Sequence, residues 1–238
     1  MAQMGRPRTF DRDQAVEQAM HLFWQHGYDA TSLSQLKAGL GGGISAPSFY
    51  AAFGSKDALF QECVQRYLAT FAQVTECLWD DSLPPRQAIE TALRQSARMQ
   101  CEEGHPKGCM VALGVMSAPS PENAQVTHGL THSRERTRAG IVHCVERGIR
   151  AGQLPAETNA RAMTTVYDSF LQGVSILARD GVDADAIDTA IGQLMLTWDL
   201  SAATAPPIRR DAPAENPQKR PHPMRYIAAM GIQQGKRP

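Results

Sequence analysis

Apolar positions recur at three- and four-residue intervals along most of the chain. Val16, Ala19, Met20 and Phe23 fall at i, i+3, i+4 and i+7, one face of a helix. Asp11 is placed to cap the start and Gly27 to stop the end, which predicts a first helix over about 12–26. Leu33, Leu36 and Leu40 form the buried side of a second, over about 33–40, capped by Ser32. After Gly41, Gly42 and Gly43, Ser45 can cap a third helix that ends at Phe53, with Pro47 tolerated in its first turn. Gly54 breaks the chain, and Ser55 opens a long helix predicted to reach about Leu78. Pro84 and Pro85 open a fifth, to about Gln100. Short apolar Cys109–Ser117 is a sixth, and about Glu122–Ala151 a seventh. The eighth runs Pro155–Arg179, with Met163, Val166, Tyr167, Phe170, Val174 and Leu177 on one face. The ninth, Ala184–Ala203, carries Ile187, Ile191, Leu194, Met195 and Trp198. No segment alternates with the period of a strand. The expected class is all-α, with about nine helices.

From Thr204 the composition changes. Seven of the fifteen prolines lie in residues 204–238, which predicts a solvated, disordered tail. Net charge is zero, yet the tail holds seven Lys/Arg against Asp211 and Glu215, so it carries +5 and residues 1–203 carry −5. Local clusters therefore say more about partners than the total does. Five cysteines without paired spacing point to a reducing, cytoplasmic setting. No apolar run reaches the ~18 residues of a membrane helix, and the first ten residues lack a secretory apolar core, so no membrane partner is expected.

Three short helices ending near Phe53, with a tight turn before the third, fit a helix-turn-helix, whose second helix enters the DNA major groove. The helix that begins at Ser45 or Ala46 is rich in small residues and can approach bases closely. Ser48 and Tyr50 supply hydrogen-bonding groups, and Ala46 and Pro47 can meet thymine methyls. Phe49 and Phe53 are expected to face inward. Lys56 stands at a helix N-terminus, where amides favour phosphate. Gly5-Arg6-Pro7-Arg8 is a basic arm suited to a narrow minor groove through Arg6 and Arg8. No nucleophile elbow, zinc-protease or Walker motif is present, and Gly39-Leu40-Gly41-Gly42-Gly43 is followed by Ile44 where a dinucleotide fingerprint needs glycine. An enzyme is not expected, and no cofactor is.

Residues 10–60 resemble the N-terminal domain of the TetR/AcrR family of bacterial transcriptional regulators. The similarity lies in Ala19-Met20-His21-Leu22-Phe23, in 27–33 (GYDATSL), in 43–53 (GISAPSFYAAF) and in 54–60 (GSKDALF). It implies a homodimeric, ligand-released repressor on a palindromic operator. By resemblance, Thr31, Ser32 and Lys56 would contact phosphate, and Ser45, Ala46, Pro47, Ser48 and Tyr50 would belong to the reading helix. The triple glycine departs from the family's single glycine before Ile-Ser. The domains implied are 1–54 for DNA, 55–203 for ligand binding and dimerisation through the last two helices, and 204–238 as tail. The second half, through 108–114 (GCMVALG), 120–123 (SPEN), 170–175 (FLQGVS) and 178–181 (ARDG), is similar to a copper-responsive, ComR-type group within that family.

Flexible methionines and aromatic rings in a helical bundle suit a pocket for an apolar or amphipathic effector. The residues expected to line it are Met99, Met110, Leu113, Met116, Tyr167 and Phe170. Cys101, His105 and Cys109 share one loop and offer an alternative, a metal or thiol-redox sensor, against the blander reading of buried small hydrophobes. An oligomeric scaffold that binds no DNA is a third reading.

Overall fold

A computed structural model describes residues 10–116 and 120–204, with only the backbone of Val115 and Met116, and all of these residues belong to one compact unit. The arm at Arg6 and Arg8 and the tail beyond Thr204 lie outside them. Among the described residues there are nine α-helices and no strands: α1 Arg12–His26, α2 Leu33–Gly39, α3 Ala46–Phe53, α4 Lys56–Ala69, α5 Pro85–Cys101, α6 Met110–Met116, α7 His128–Arg150, α8 Ala160–Arg179 and α9 Ala184–Ala203. The 3₁₀ segments Phe71–Trp79 and Pro121–Thr127 join them.

The starts follow from local capping chemistry. Asp11, Ser32, Ser45, Ser55, Asn159 and Asp183 each accept a backbone N–H three residues on. Ser32 and Gln35 complete a reciprocal capping box. Three boundaries differ from expectation. The fourth helix stops at Ala69 because Thr70 leaves helical geometry (φ −123°, ψ −87°) and its hydroxyl donates back to the Arg66 carbonyl at 2.8 Å. Phe71 then turns inward, with its ring 5.1 Å from Trp24 and 5.6 Å from Tyr67. The seventh begins as a 3₁₀ turn and becomes α-helical only at His128. The eighth starts at Ala160, where the Asn159 side chain caps it, rather than at Pro155.

Two apolar cores carry the fold. One gathers Val16, Phe23, Trp24, Leu36, Phe49, Phe60 and Tyr67, and continues without a break into Met110, Val111 and Leu130. The other packs Leu78, Ile89, Leu93, Val145, Tyr167, Val174, Ile191 and Trp198. Glycine is needed at 148, because a Cβ there would lie 2.7 Å from the buried Trp198 ring. Trp24 locks the first core. Its indole N–H donates to the Gly108 carbonyl at 3.1 Å, and its ring meets Tyr67 edge-on at 4.9 Å. At the far end of α8, the Arg179 guanidinium donates to the carbonyls of Trp24 (2.8 Å) and Gln25 (3.2 Å), in the last turn of α1. The outer faces of α8 and α9 stay apolar and uncovered at Val166, Ile176, Leu177, Leu196 and Leu200, the last 70% exposed.

Candidate nucleic-acid interface

Two buried rings hold α3 in place. Phe49 and Phe53 pack inward beside Leu36 and Leu40, with the two rings 5.4 Å apart. Helical periodicity then turns the rest of α3 outward. Ser45, Pro47, Ser48, Tyr50 and Ala51 are exposed and Ala46 is partly buried. Tyr50 is half exposed, its ring edge-on to Phe49 at 5.6 Å. The Ser45 hydroxyl caps Ser48 N–H at 3.2 Å and shares a 2.9 Å hydrogen bond with the Ser48 hydroxyl, so the two residues form one polar corner. The exposed face thus offers two hydroxyls and a phenol on a surface of small groups, which suits base edges and phosphates.

The turn before α3 uses its three glycines fully. Gly41, Gly42 and Gly43 all have positive φ, 59°, 81° and 104°, which side chains other than glycine's rarely adopt. Gly41 N–H is held by the Gln18 side chain at 2.9 Å, and Ile44 N–H returns to the Lys37 carbonyl at 2.9 Å. The extended turn is therefore pinned at both ends. Phe10 packs edge-on against Phe53, with the ring centroids 6.1 Å apart.

Lys56 opens α4, with its ammonium 4.1 Å above the Tyr28 ring. Burial lowers its pKa, opposed by Asp29. Tyr28 in turn donates a short hydrogen bond to Asp57. Lys56 is thus a positioned cation beside a helix N-terminus. Ser32 is exposed, with its hydroxyl occupied by Gln35 N–H at 3.1 Å. Thr31 corrects the expectation made for it. It is fully buried and donates its hydroxyl to the Gly27 carbonyl at 2.7 Å, so its side chain braces the α1–α2 turn and presents nothing to a phosphate.

The second half contains a partly open cavity of about 50 Å³ lined by α4 to α8, and of the expected pocket residues only Met99 lines it. Met110 and Tyr167 are spent as core. Met110 sits in the first cluster, and Tyr167 in the second with its hydroxyl 3.0 Å from Thr197 Oγ1. Phe170 packs against the second cluster, Leu113 lies against Gly108, and the Met116 side chain is outside the described residues. Nor do Cys101, His105 and Cys109 converge. Cys101 points at the Val182 carbonyl, His105 stacks on Trp24 at 4.7 Å, and Cys109 accepts from the Tyr67 hydroxyl at 3.3 Å. Among the described residues no three His, Cys, Asp or Glu side chains gather as metal ligands.

The sequence family described as "Bacterial regulatory proteins, tetR family" matches residues 15–63. The chain is 32% identical over 177 residues to the HTH-type transcriptional repressor BdcR of Escherichia coli K12, covering 74% of this chain and 83% of BdcR. The chain belongs to the TetR family. It is 29% identical over 195 residues to the HTH-type transcriptional repressor ComR of the same organism, covering 82% of this chain and 91% of ComR. The TetR-family regulator CifR, solved as a cysteine mutant with a 26-base-pair double-stranded operator, superposes with a TM-score of 0.70. It has 33% identity and covers 82% of this chain and all of the CifR chain. This TetR-family chain is accordingly a helix-turn-helix transcriptional regulator of the repressor type, and not an enzyme. No helix among its described residues is long and apolar enough to cross a membrane.

Lys37, which the sequence reading did not single out, lies close to the start of α3. It sits in the last turn of α2, partly exposed, and its carbonyl receives Ile44 N–H, so it stands where the chain turns into α3. The signal was a lone basic residue one turn before the glycines. Arg12, in contrast, is held in a bidentate pair with Glu62 at 2.6 and 2.8 Å.

Proposed function

We propose that this chain works in the cytoplasm as a homodimeric, effector-responsive repressor that reads a palindromic operator with α3. The observation that carries the reading is the two-sidedness of α3. Phe49 and Phe53 fix its back, and Ser45, Pro47, Ser48 and Tyr50 form a free front beside the fixed Lys56 ammonium. That CifR is complexed with duplex operator supports the same use here. Dimerisation through α8 and α9 is supported by their uncovered apolar faces, whose natural occupant in a symmetric homodimer is the same face of a second copy. Effector response is supported by the cavity, because a ligand can bias the heads only through differential affinity for two conformers.

The test is selection from a random duplex pool, followed by footprinting. Enriched sequences should be pseudo-palindromic, with half-sites about one helical turn or slightly more apart. Tyr50→Ala should weaken binding broadly, and substitution of Ser48 should change base preference. A protein that enriches no sequence, or a Tyr50→Ala variant with unchanged affinity, would overturn the docking.

A further inference from the structure

The wall of the cavity in the second half holds two hydrogen-bond donors that have no acceptor among the described residues. Ser96, on α5, is 2% exposed, and its hydroxyl has no partner among the described residues. Arg134, on α7, is partly exposed, and its buried Nε has no partner among the described residues. Both line the cavity, whose wall mixes apolar groups such as Met99, Val111 and Leu171 with polar ones such as Thr75, Gln100 and Thr137. The other arginines of α7 are treated differently. Arg136 pairs with Glu76, Arg138 with Asp168, Arg147 with Asp81 and Arg150 with Glu146. Arg134 alone on that helix has no carboxylate among the described residues, and no Asp or Glu lines the cavity. Four of the other polar side chains on the wall already donate, Thr75 and Thr137 to the Ala72 and Ser133 carbonyls. Ser175 donates to Gln100 at 2.7 Å, and Gln172 donates to Asp168.

A buried guanidinium N–H and a buried hydroxyl on the wall of one cavity ask for an acceptor, and an anionic acceptor forms the stronger pair with arginine. The apolar remainder of the wall asks for a short hydrocarbon. At ~10–15 Å³ of such volume per water, the space of about 50 Å³ holds roughly four waters, which suits a small organic acid. We propose that the effector is a short-chain carboxylate of about two to four carbons, its carboxylate on Arg134 and Ser96 and its alkyl group against Met99, Val111 and Leu171. This replaces the larger apolar or amphipathic ligand expected from sequence. It rests on the effector-responsive reading for its consequence, but not for the binding itself. The cavity also touches Tyr67, whose ring packs on Trp24 of α1, so an occupant adjoins the core of the reading head.

The experiment is titration calorimetry of the full chain, at constant ionic strength, with acetate, propionate, butyrate, hexanoate, butyramide and inorganic phosphate. One acid per chain should bind, best at three or four carbons, with butyramide and phosphate about tenfold weaker or more. Arg134→Gln should lose about tenfold in butyrate affinity, and Arg134→Lys should keep part of it. Ser96→Ala removes only an unpartnered hydroxyl, so it should fold. It should weaken butyrate binding several-fold, and it decides the matter if the Arg134 variants unfold. The proposal is overturned if butyramide binds as well as butyrate, if affinity rises steadily through hexanoate, if no acid binds, or if neither Arg134→Gln nor Ser96→Ala lowers affinity. Acid binding that leaves a selected operator duplex undisturbed would uphold the site and count against the effector reading instead.

Discussion

Leu200→Glu separates the proposed dimer face from the fold. Leu200 is 70% exposed in the single chain, whereas Trp198, two residues earlier, is 2% exposed and belongs to the second core. A charge at 200 therefore leaves the folded chain nearly as stable as before, since surface substitutions usually stay within about 0.5 kcal/mol. Fully burying a leucine is worth about 1.5–3 kcal/mol, so the 70% still exposed is worth roughly 1–2 kcal/mol. An isologous twofold interface counts each position twice, which gives roughly 2–4 kcal/mol, or a dimer dissociation constant raised ~30- to 1,000-fold. Burying an unpaired carboxylate adds to this. Sedimentation equilibrium across a concentration series measures the constant, and far-ultraviolet circular dichroism with a melting curve confirms the fold. A folded variant whose dimer dissociates at the wild-type concentration would refute the reasoning and move the interface off α9.

Gly148→Ala should destabilise by about 2–3 kcal/mol, because its Cβ would press on the Trp198 ring and core overpacking costs about that much. Differential scanning calorimetry should show a melting point lower by roughly 5–10 °C. Lys56→Ala should weaken duplex binding across sequences and flatten the log-affinity against log-salt slope by about one per half-site, read by anisotropy titrations. Burial pushes the Cys144 thiol up to about 11. An unfolded thiol ionises near ~8.5, so the stability from this group is complete below that pH and is lost as pH rises towards about 11. Urea midpoints should fall between pH 8 and 10.5, and fall less in Cys144→Ala. An equal fall in both proteins would assign the effect elsewhere.

Helix starts were legible because a cap is written within four residues. Asp11, Ser32, Ser45 and Ser55 each satisfy an N–H three positions on, whatever the rest of the chain does. The break at Thr70 was not legible. The apolar pattern continues through it, and what ends the helix is the demand that Phe71 reach Trp24, a contact 47 residues away in sequence. The front of α3 was legible for the same local reason as its back, since Phe49 and Phe53 fix the rotation of everything between them. Thr31 was misread because its role depends on a carbonyl made available by the Gly27 turn. The cavity was misplaced for a general reason. Large apolar side chains such as Met110 and Tyr167 close space when they find neighbours, whereas Ser96 and Arg134 mark space that remains.

The Arg179 guanidinium ties the end of α8 to the final carbonyls of α1. The 20 residues of α8 make a rod of about 30 Å. A rod of that length, pivoted at its start by about 10°, sweeps its tip through about 5 Å, which is more than the 3.4 Å rise of one base pair along a duplex. Under the proposed effector response, Arg179 is the tie-rod through which a tilt of α8 would reach α1 and, beyond it, the reading helix.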